Sequence, residues 1–226
     1  MSSIRRVLIS GGTGFVGTWM RRTQPPDVQG AYMDREAYTT GFWPIPDFYV
    51  HLAPISPAAI LNYAHRYGGR VLYASSGAVY DRQTEYADLK RVYEAECLAT
   101  DVNVVIARLF TFYGDGILKD ETKAITQFVK AAATGAPIKI WGDGSTVRSY
   151  MHGETMGRWL WAILLEGQNG EAYDVGSDKP VTMLDLAQQV NLAFGWKSPI
   201  FIEHRPEECT YYIPRDTAKT RALLRS

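Results

Sequence analysis

Tyr86 and Lys90 stand four residues apart in the run Tyr86-Ala87-Asp88-Leu89-Lys90. On a helix, residues at that spacing share one face. A phenol at its ordinary pKa of about 10 is a poor base near neutral pH. An ammonium beside it stabilises the phenolate and lowers that value, so the pair offers a group able to move a proton. Upstream, Ser76 follows the apolar segment Arg70–Ala74, in Ala74-Ser75-Ser76-Gly77-Ala78-Val79-Tyr80. Its hydroxyl is suited to hold a substrate oxygen while Tyr86 transfers the proton. A Tyr-x-x-x-Lys pair alone arises often by chance, so its meaning depends on what else the chain supplies.

The chain supplies a seat for a dinucleotide. Val7-Leu8-Ile9-Ser10 is a short apolar strand that runs directly into Gly11, Gly14 and Gly17, and a helical segment, Phe15–Arg22, follows. Glycine allows a sharp turn and a close backbone approach. The helix start, at Phe15 and Val16, presents N–H groups and the positive end of its dipole to a pyrophosphate. The spacing Gly-x-x-Gly-x-x-Gly differs from the usual Gly-x-Gly-x-x-Gly, so context must carry the reading. Asp34 supplies it, closing the next apolar segment about twenty residues on, where a carboxylate accepts hydrogen bonds from the adenine ribose. Asp34 favours NAD. Arg35 follows it directly and keeps NADP open as the alternative, because a guanidinium pairs well with a 2′-phosphate. With a dinucleotide in place, Lys90 is also suited to bond the nicotinamide ribose.

Bulk properties exclude several other classes. Lys plus Arg and Asp plus Glu number 24 each among 226 residues, giving a formal net charge of zero. That balance gives no support for nucleic-acid or membrane binding. The two cysteines, Cys97 and Cys209, are far apart. A disulfide framework is not expected, and a reducing, cytoplasmic compartment is. The first residues lead into a strand rather than a signal segment. No apolar run approaches the roughly 18 residues of a membrane span. His51, His65, His152 and His204 lack metal-ligand spacing, so no metal site is expected.

The elements that must position these residues follow from periodicity. Strands are expected at Arg6–Ile9, Gly30–Met33, Phe48–Leu52, Arg70–Ala74 and Asn103–Arg108, with helices at Phe15–Arg22, Pro57–Tyr67 and Tyr86–Thr100. Alternation of this kind implies parallel strands with crossover helices. Gly12, Asp34, Ala53 and Ser76 then fall at or just past strand ends, where ligands of such sheets bind. Beyond Tyr113 the pattern mixes helices (Thr122–Thr134, Glu154–Glu166, Leu184–Phe194) with short strands (Ile138–Trp141, Ala172–Val175). Trp159, Leu160, Trp161, Leu164 and Leu165 read as core. The expected fold is α/β: a Rossmann-type doubly wound parallel sheet, mainly residues 1–113, with a small C-terminal α+β substrate lobe, mainly residues 114–226, some of whose segments return to the core.

The chain resembles the extended short-chain dehydrogenase/reductases, in particular the nucleotide-sugar epimerases and dehydratases. Gly11, Gly14 and Gly17 match the N-terminal glycine motif, and His51-Leu52-Ala53 the strand that passes the cofactor. Ser75-Ser76-Gly77-Ala78-Val79-Tyr80 is similar to the catalytic serine segment, and Tyr86 with Lys90 to the catalytic pair. Arg108-Leu109-Phe110-Thr111-Phe112-Tyr113-Gly114 resembles the substrate-facing Arg-x-x-Asn-x-Tyr-Gly run, with Thr111 in place of Asn. Trp141-Gly142-Asp143-Gly144-Ser145-Thr146-Val147-Arg148 resembles a motif whose arginine holds the nucleotide diphosphate, and Tyr173-Asp174-Val175-Gly176 matches Tyr-Asn-Val-Gly.

The resemblance implies NAD contacts at Gly11, Gly14, Phe15, Val16, Gly17, Asp34, Arg35, Leu52, Ala53, Tyr86 and Lys90. It implies substrate contacts at Ser76, Thr111 and Arg148, with Arg205 a weaker candidate, and a nucleotide-diphosphate sugar as substrate, acted on by a homodimer. Relative to that family the chain is shortened between Asp34 and Phe48, between Ala53 and Ala58, and between Tyr80 and Tyr86. Resembling dehydratases carry an acid just after the catalytic Ser or Thr, where this chain has Gly77 and Ala78. An epimerase working through a keto-sugar therefore ranks first, a 4-keto-sugar reductase second and a 4,6-dehydratase third. A catalytically idle dinucleotide-binding sensor or scaffold is the alternative from another class.

Overall fold

The computed structural model of the protein describes residues 4–34, 45–80, 83–117, 120, 122–203 and 210–224. The chain divides into two compact units. The first comprises Met1–Phe110, Gly153–Val175 and Pro214–Ser226, and the second Thr111–His152 and Gly176–Ile213. The first unit opens with β1 (Arg5–Ser10), α1 (Phe15–Arg22), β2 (Val28–Met33), β3 (Phe48–His51), α2 (Ala58–Tyr67), β4 (Arg70–Ser76), α3 (Glu85–Leu98) and β5 (Asn103–Leu109). The chain then builds β6 (Phe112–Tyr113), α4 (Ala124–Thr134), β7 (Ile138–Trp141), β8 (Val147–Arg148) and β9 (Met151–His152) of the second unit. It rejoins the first unit for α5 (Gly153–Glu166) and β10 (Ala172–Val175). β11 (Val181–Thr182), α6 (Met183–Ala193), β12 (Ile200–Glu203) and β13 (Tyr211–Tyr212) belong to the second unit, and α7 (Ala218–Ala222) to the first.

The first unit is a six-stranded sheet in the order β10-β5-β4-β3-β1-β2, with every neighbouring pair parallel. This is the Rossmann-type doubly wound arrangement expected from the sequence. Because both faces are covered, its strands are apolar runs rather than alternating ones. Val7, Ile9, Val71, Leu72, Val105 and Ile106 are all buried. On one face Tyr49, Val71, Tyr73 and Ile106 pack with Ile60, Leu61 and Ala64 of α2 and Cys97 of α3. Elsewhere in the unit the indole N–H of Trp161 on α5 donates to the Met20 carbonyl of α1 at 2.9 Å. Trp159, Leu160, Trp161 and Leu164 are buried, as core residues should be, whereas Leu165, expected with them, is only half-buried. The winding direction reverses between β1 and β3, which places a crevice at the carboxyl ends of those two strands.

The second unit is α+β. It contains a three-stranded sheet, β11-β8-β13, and two parallel pairs, β12 with β7 and β6 with β9. Its core gathers Ile125 and Phe128 of α4, Ile138 and Ile140 of β7, and Leu186 and Ala187 of α6. Five of its strands have only two residues, too short to leave any periodic signal in the sequence.

Candidate active site

The three glycines of the opening turn serve different purposes. Gly11 has φ +68°, and a Cβ there would lie 3.1 Å from the Ala53 nitrogen. Its turn therefore presses against the Leu52–Ala53 backbone that follows β3. Gly17 sits inside α1, where a Cβ would come within 2.5 Å of Gly12 backbone atoms, so it lets the helix close on the turn. Gly14 is different. It caps α1 with ordinary extended backbone and no side-chain hydrogen bond. A Cβ there would meet only the Gly11 carbonyl, at 3.4 Å. Among the described residues no side chain packs against that position. This cradle suits a pyrophosphate. Gly12, which the spacing argument passed over, leaves no room for a Cβ against Tyr32.

Asp34 lies just past β2 and is exposed. The Thr13 hydroxyl donates to its Oδ1 at 2.6 Å, fixing the carboxylate beside the glycine turn. Thr13 was legible only as a residue inside the motif; its partner was not. Arg35 lies outside the described residues. At the crevice, the His51 Nε2–H donates to the Ile55 carbonyl at 3.0 Å and Nδ1 accepts from the Ser10 hydroxyl at 3.0 Å. Burial pushes the ring pKa down, and the Lys90 charge adds to that, keeping His51 neutral and linking the ends of β1 and β3.

Ser76 is the last residue of β4 and is buried. Its side chain accepts from the Ala78 N–H at 3.2 Å and so caps a single 3-10 turn, Gly77–Val79. A Cβ on Gly77 would lie 2.3 Å from the Phe110 ring, so this position admits no side chain without displacing that ring. The helix α3 begins at Glu85 because the Thr84 hydroxyl accepts from the Ala87 N–H at 3.2 Å, with Glu85 and Asp88 in the first turn. Tyr86 is half exposed. Lys90 is buried, and its ammonium donates to the Ala74 carbonyl at 2.8 Å and the Tyr73 hydroxyl at 3.1 Å. The same ammonium stands 6.0 Å from the centre of the Tyr86 ring. Burial pushes Lys90 down to about 8, a shift opposed chiefly by the charge of Glu94. Tyr73 as a partner of Lys90 carried no sequence signal.

In the second unit a cavity of about 550 Å³ is lined by Phe128, Lys139, Trp141, Thr146, Arg148 and Thr210, among others. The Arg148 guanidinium donates to the Val147 and Thr210 carbonyls at 2.8 and 3.0 Å and to the Thr210 hydroxyl at 3.0 Å. These oxygens hold the guanidinium in place. Thr111 belongs to this unit, and its carbonyl accepts from the Met151 N–H at 3.0 Å. Arg205 lies outside the described residues. Among the described residues no cluster of His, Cys, Asp and Glu could hold a metal ion. No described helix is long and apolar enough to cross a membrane.

Comparison with known proteins agrees with the fold. UDP-glucuronic acid decarboxylase 4 of Arabidopsis thaliana is 26% identical over 188 residues, 73% of this chain and 42% of that protein. The chain spans less than half the length of the curated relatives it matches. Among solved structures, an epimerase of Methanothermobacter thermautotrophicus superposes with a TM-score of 0.82 at 21% identity, covering 99% of this chain and 87% of that one. A dTDP-glucose 4,6-dehydratase of Bacillus anthracis, determined in complex with NAD, superposes with a TM-score of 0.81 at 18% identity, covering 98% and 91%. Residues 49–176 match the model of the NAD dependent epimerase/dehydratase family, more than half of the chain, and the protein belongs to that family.

Proposed function

We propose that the protein is an NAD-dependent nucleotide-sugar oxidoreductase, acting as an epimerase through a keto-sugar intermediate. The observation that carries this reading is the grouping on β4 and α3. Ser76 ends the strand, the buried Lys90 ammonium is bonded to the residue two before it, and half-exposed Tyr86 lies one helical turn from Lys90. In this reading the Gly11–Gly17 turn would hold NAD, which would supply reversible hydride transfer at a sugar carbon. Ser76 holds the sugar oxygen, Tyr86 moves the hydroxyl proton, and Lys90 favours the phenolate by its charge. Phe15 and Val16 offer N–H groups to the pyrophosphate, and Asp34 takes the adenine ribose. Arg148 holds the substrate diphosphate by paired hydrogen bonds, with Thr111 and Arg205 as further contacts.

Gly77 favours epimerisation over dehydration. The Phe110 ring occupies the place a side chain at residue 77 would take, and Ala78 brings no acid. A 4-keto-sugar reductase needs only Ser76, Tyr86 and Lys90, and is the second reading. The 4,6-dehydratase is third, and relatives named as UDP-glucuronic acid decarboxylases add a fourth outcome, since oxidation two carbons from a carboxylate carbon gives a β-keto acid that loses carbon dioxide. The test is incubation with NAD and a panel of UDP-, dTDP-, GDP- and CDP-sugars, UDP-glucuronate included, with products identified by mass and NMR. An epimer at unchanged mass supports the proposal. Loss of water, loss of carbon dioxide or net reduction by NADH would each replace it with the corresponding activity. NAD binding without turnover of any sugar would leave the idle binder.

A further inference from the structure

A buried charged network behind Ser76 and Lys90 has no part in the chemistry above. Glu94 lies one turn beyond Lys90 on α3 and is 7% exposed. Its carboxylate accepts from the Ser75 hydroxyl. It also accepts from Arg108 of β5 through Nε at 3.1 Å and Nη2 at 2.7 Å, a two-point ion pair. Arg108 donates onward to the Tyr80 hydroxyl at 2.9 Å, and that hydroxyl donates to Asp174 of β10 at 2.8 Å. Two successive turns of α3 are thus tied to two successive residues of β4: Lys90 to Ala74, and Glu94 to Ser75. The next residue on the strand is Ser76.

We infer that Glu94 is a positioning residue: through Ser75 and Arg108 it seats α3 against the strand that ends in Ser76, and it supplies the counter-charge that keeps Lys90 an ammonium. This rests on the proposed roles of Ser76, Tyr86 and Lys90. A buried carboxylate with three donors is held in one place, because losing any of them would leave charge unpaired in a low dielectric. A helix fixed that way holds Lys90 at one depth over β4. The groups facing the Lys90 ammonium are His51 from β3, Tyr73 from β4, and Tyr86, Glu94 and Cys97 from its own helix. Of these, Glu94 is the carboxylate paired with Arg108, and its charge is the chief one that opposes the burial of Lys90.

The test is Glu94→Gln, which keeps the shape and removes the charge. Lys90 is followed by NMR titration of its 13C-labelled ε-carbon in the free protein, assigned with Lys90→Arg. The midpoint should fall by about one pH unit or more, and the alkaline limb of kcat should move down with it while KM for the nucleotide sugar stays within about twofold. A structural role alone would lower the melting temperature and leave midpoint and pH profile in place, and that result overturns the inference. If Glu94→Gln fails to fold because Arg108 is left unpaired, Glu94→Gln/Arg108→Gln removes the buried pair together and should show a smaller fall in midpoint, because a positive charge farther from Lys90 goes with the carboxylate. An unmoved midpoint there overturns the inference equally. The midpoint is read without substrate, so its failure to move counts against Glu94 alone, whereas absence of turnover in the unaltered protein overturns the proposed function instead.

Discussion

Three residues carry separable parts of the proposed chemistry. Gly14 caps α1 in extended backbone, and among the described residues a Cβ there would meet only the Gly11 carbonyl, at 3.4 Å. Valine adopts that backbone, and the loss at a helix cap is about 1 kcal/mol, so Gly14→Val should fold. It should also fill the space a pyrophosphate needs and abolish NADH binding by calorimetric titration. Unchanged affinity in a folded Gly14→Val protein would remove the glycine turn as the cofactor seat. Tyr86→Phe keeps the ring and removes the transferable proton. Turnover should fall by about 100- to 10,000-fold with NADH affinity retained, and near-normal turnover would point to another base. Lys90 makes a prediction about stability. Burial lowers it from 10.5 to about 8, so between those values the folded chain binds fewer protons than the unfolded chain. The contribution of this group to stability is therefore least favourable below pH 8 and rises as pH climbs toward 10.5. Lys90→Met has no such dependence. Denaturant unfolding at about pH 7 and about pH 10 should show the gap between the two proteins shifting toward the unaltered one by on the order of 2 kcal/mol. An equal gap at both pH values would mean that Lys90 titrates in the fold as it does in an unfolded chain.

At the scale of elements, the strand–glycine–helix opening and the alternation through Arg108 were legible because a parallel sheet covered on both faces writes long apolar runs between amphipathic helices. α3 was expected from Tyr86 to Thr100 and runs Glu85–Leu98, the usual uncertainty of helix ends. Tyr86 and Lys90 were legible because a motif names them. Tyr73 was not, since an inward tyrosine on a buried strand looks the same whether or not its hydroxyl receives an ammonium. Glu94 shares that fate: its partners, Ser75 and Arg108, come from two strands brought together only by the sheet order. The two-residue strands around Arg148 left no pattern either, so the residue was found through its motif while its setting was not. The stretch between Asp34 and Phe48 falls largely outside the described residues, Arg35 with it.

At the scale of the molecule, the two units divide the proposed binding work, and that division can be tested with one substitution. The glycine turn and Asp34 lie in the first unit, and Arg148 with its cavity in the second. The Val147 and Thr210 oxygens accept hydrogen bonds from Arg148 and help to orient it. A guanidinium offers a phosphate two parallel hydrogen bonds, and an ammonium offers only a point charge. Arg148→Lys keeps the charge, so any loss measures that geometry. Affinity for a UDP- or dTDP-sugar should fall by about tenfold, on the order of one good charge-assisted hydrogen bond. NADH affinity should stay as it was, because its contacts lie in the other unit. Thermal stability should change little, since a rearranged bond or two at a part-exposed site is worth about 1 kcal/mol or less. Paired titrations with NADH and with the nucleotide sugar separate the outcomes. A fall in both affinities would show that the substitution disturbs the fold rather than one contact. Equal sugar-nucleotide affinity in the two proteins would remove Arg148 as the diphosphate ligand and leave the proposed substrate class resting on the relatives alone.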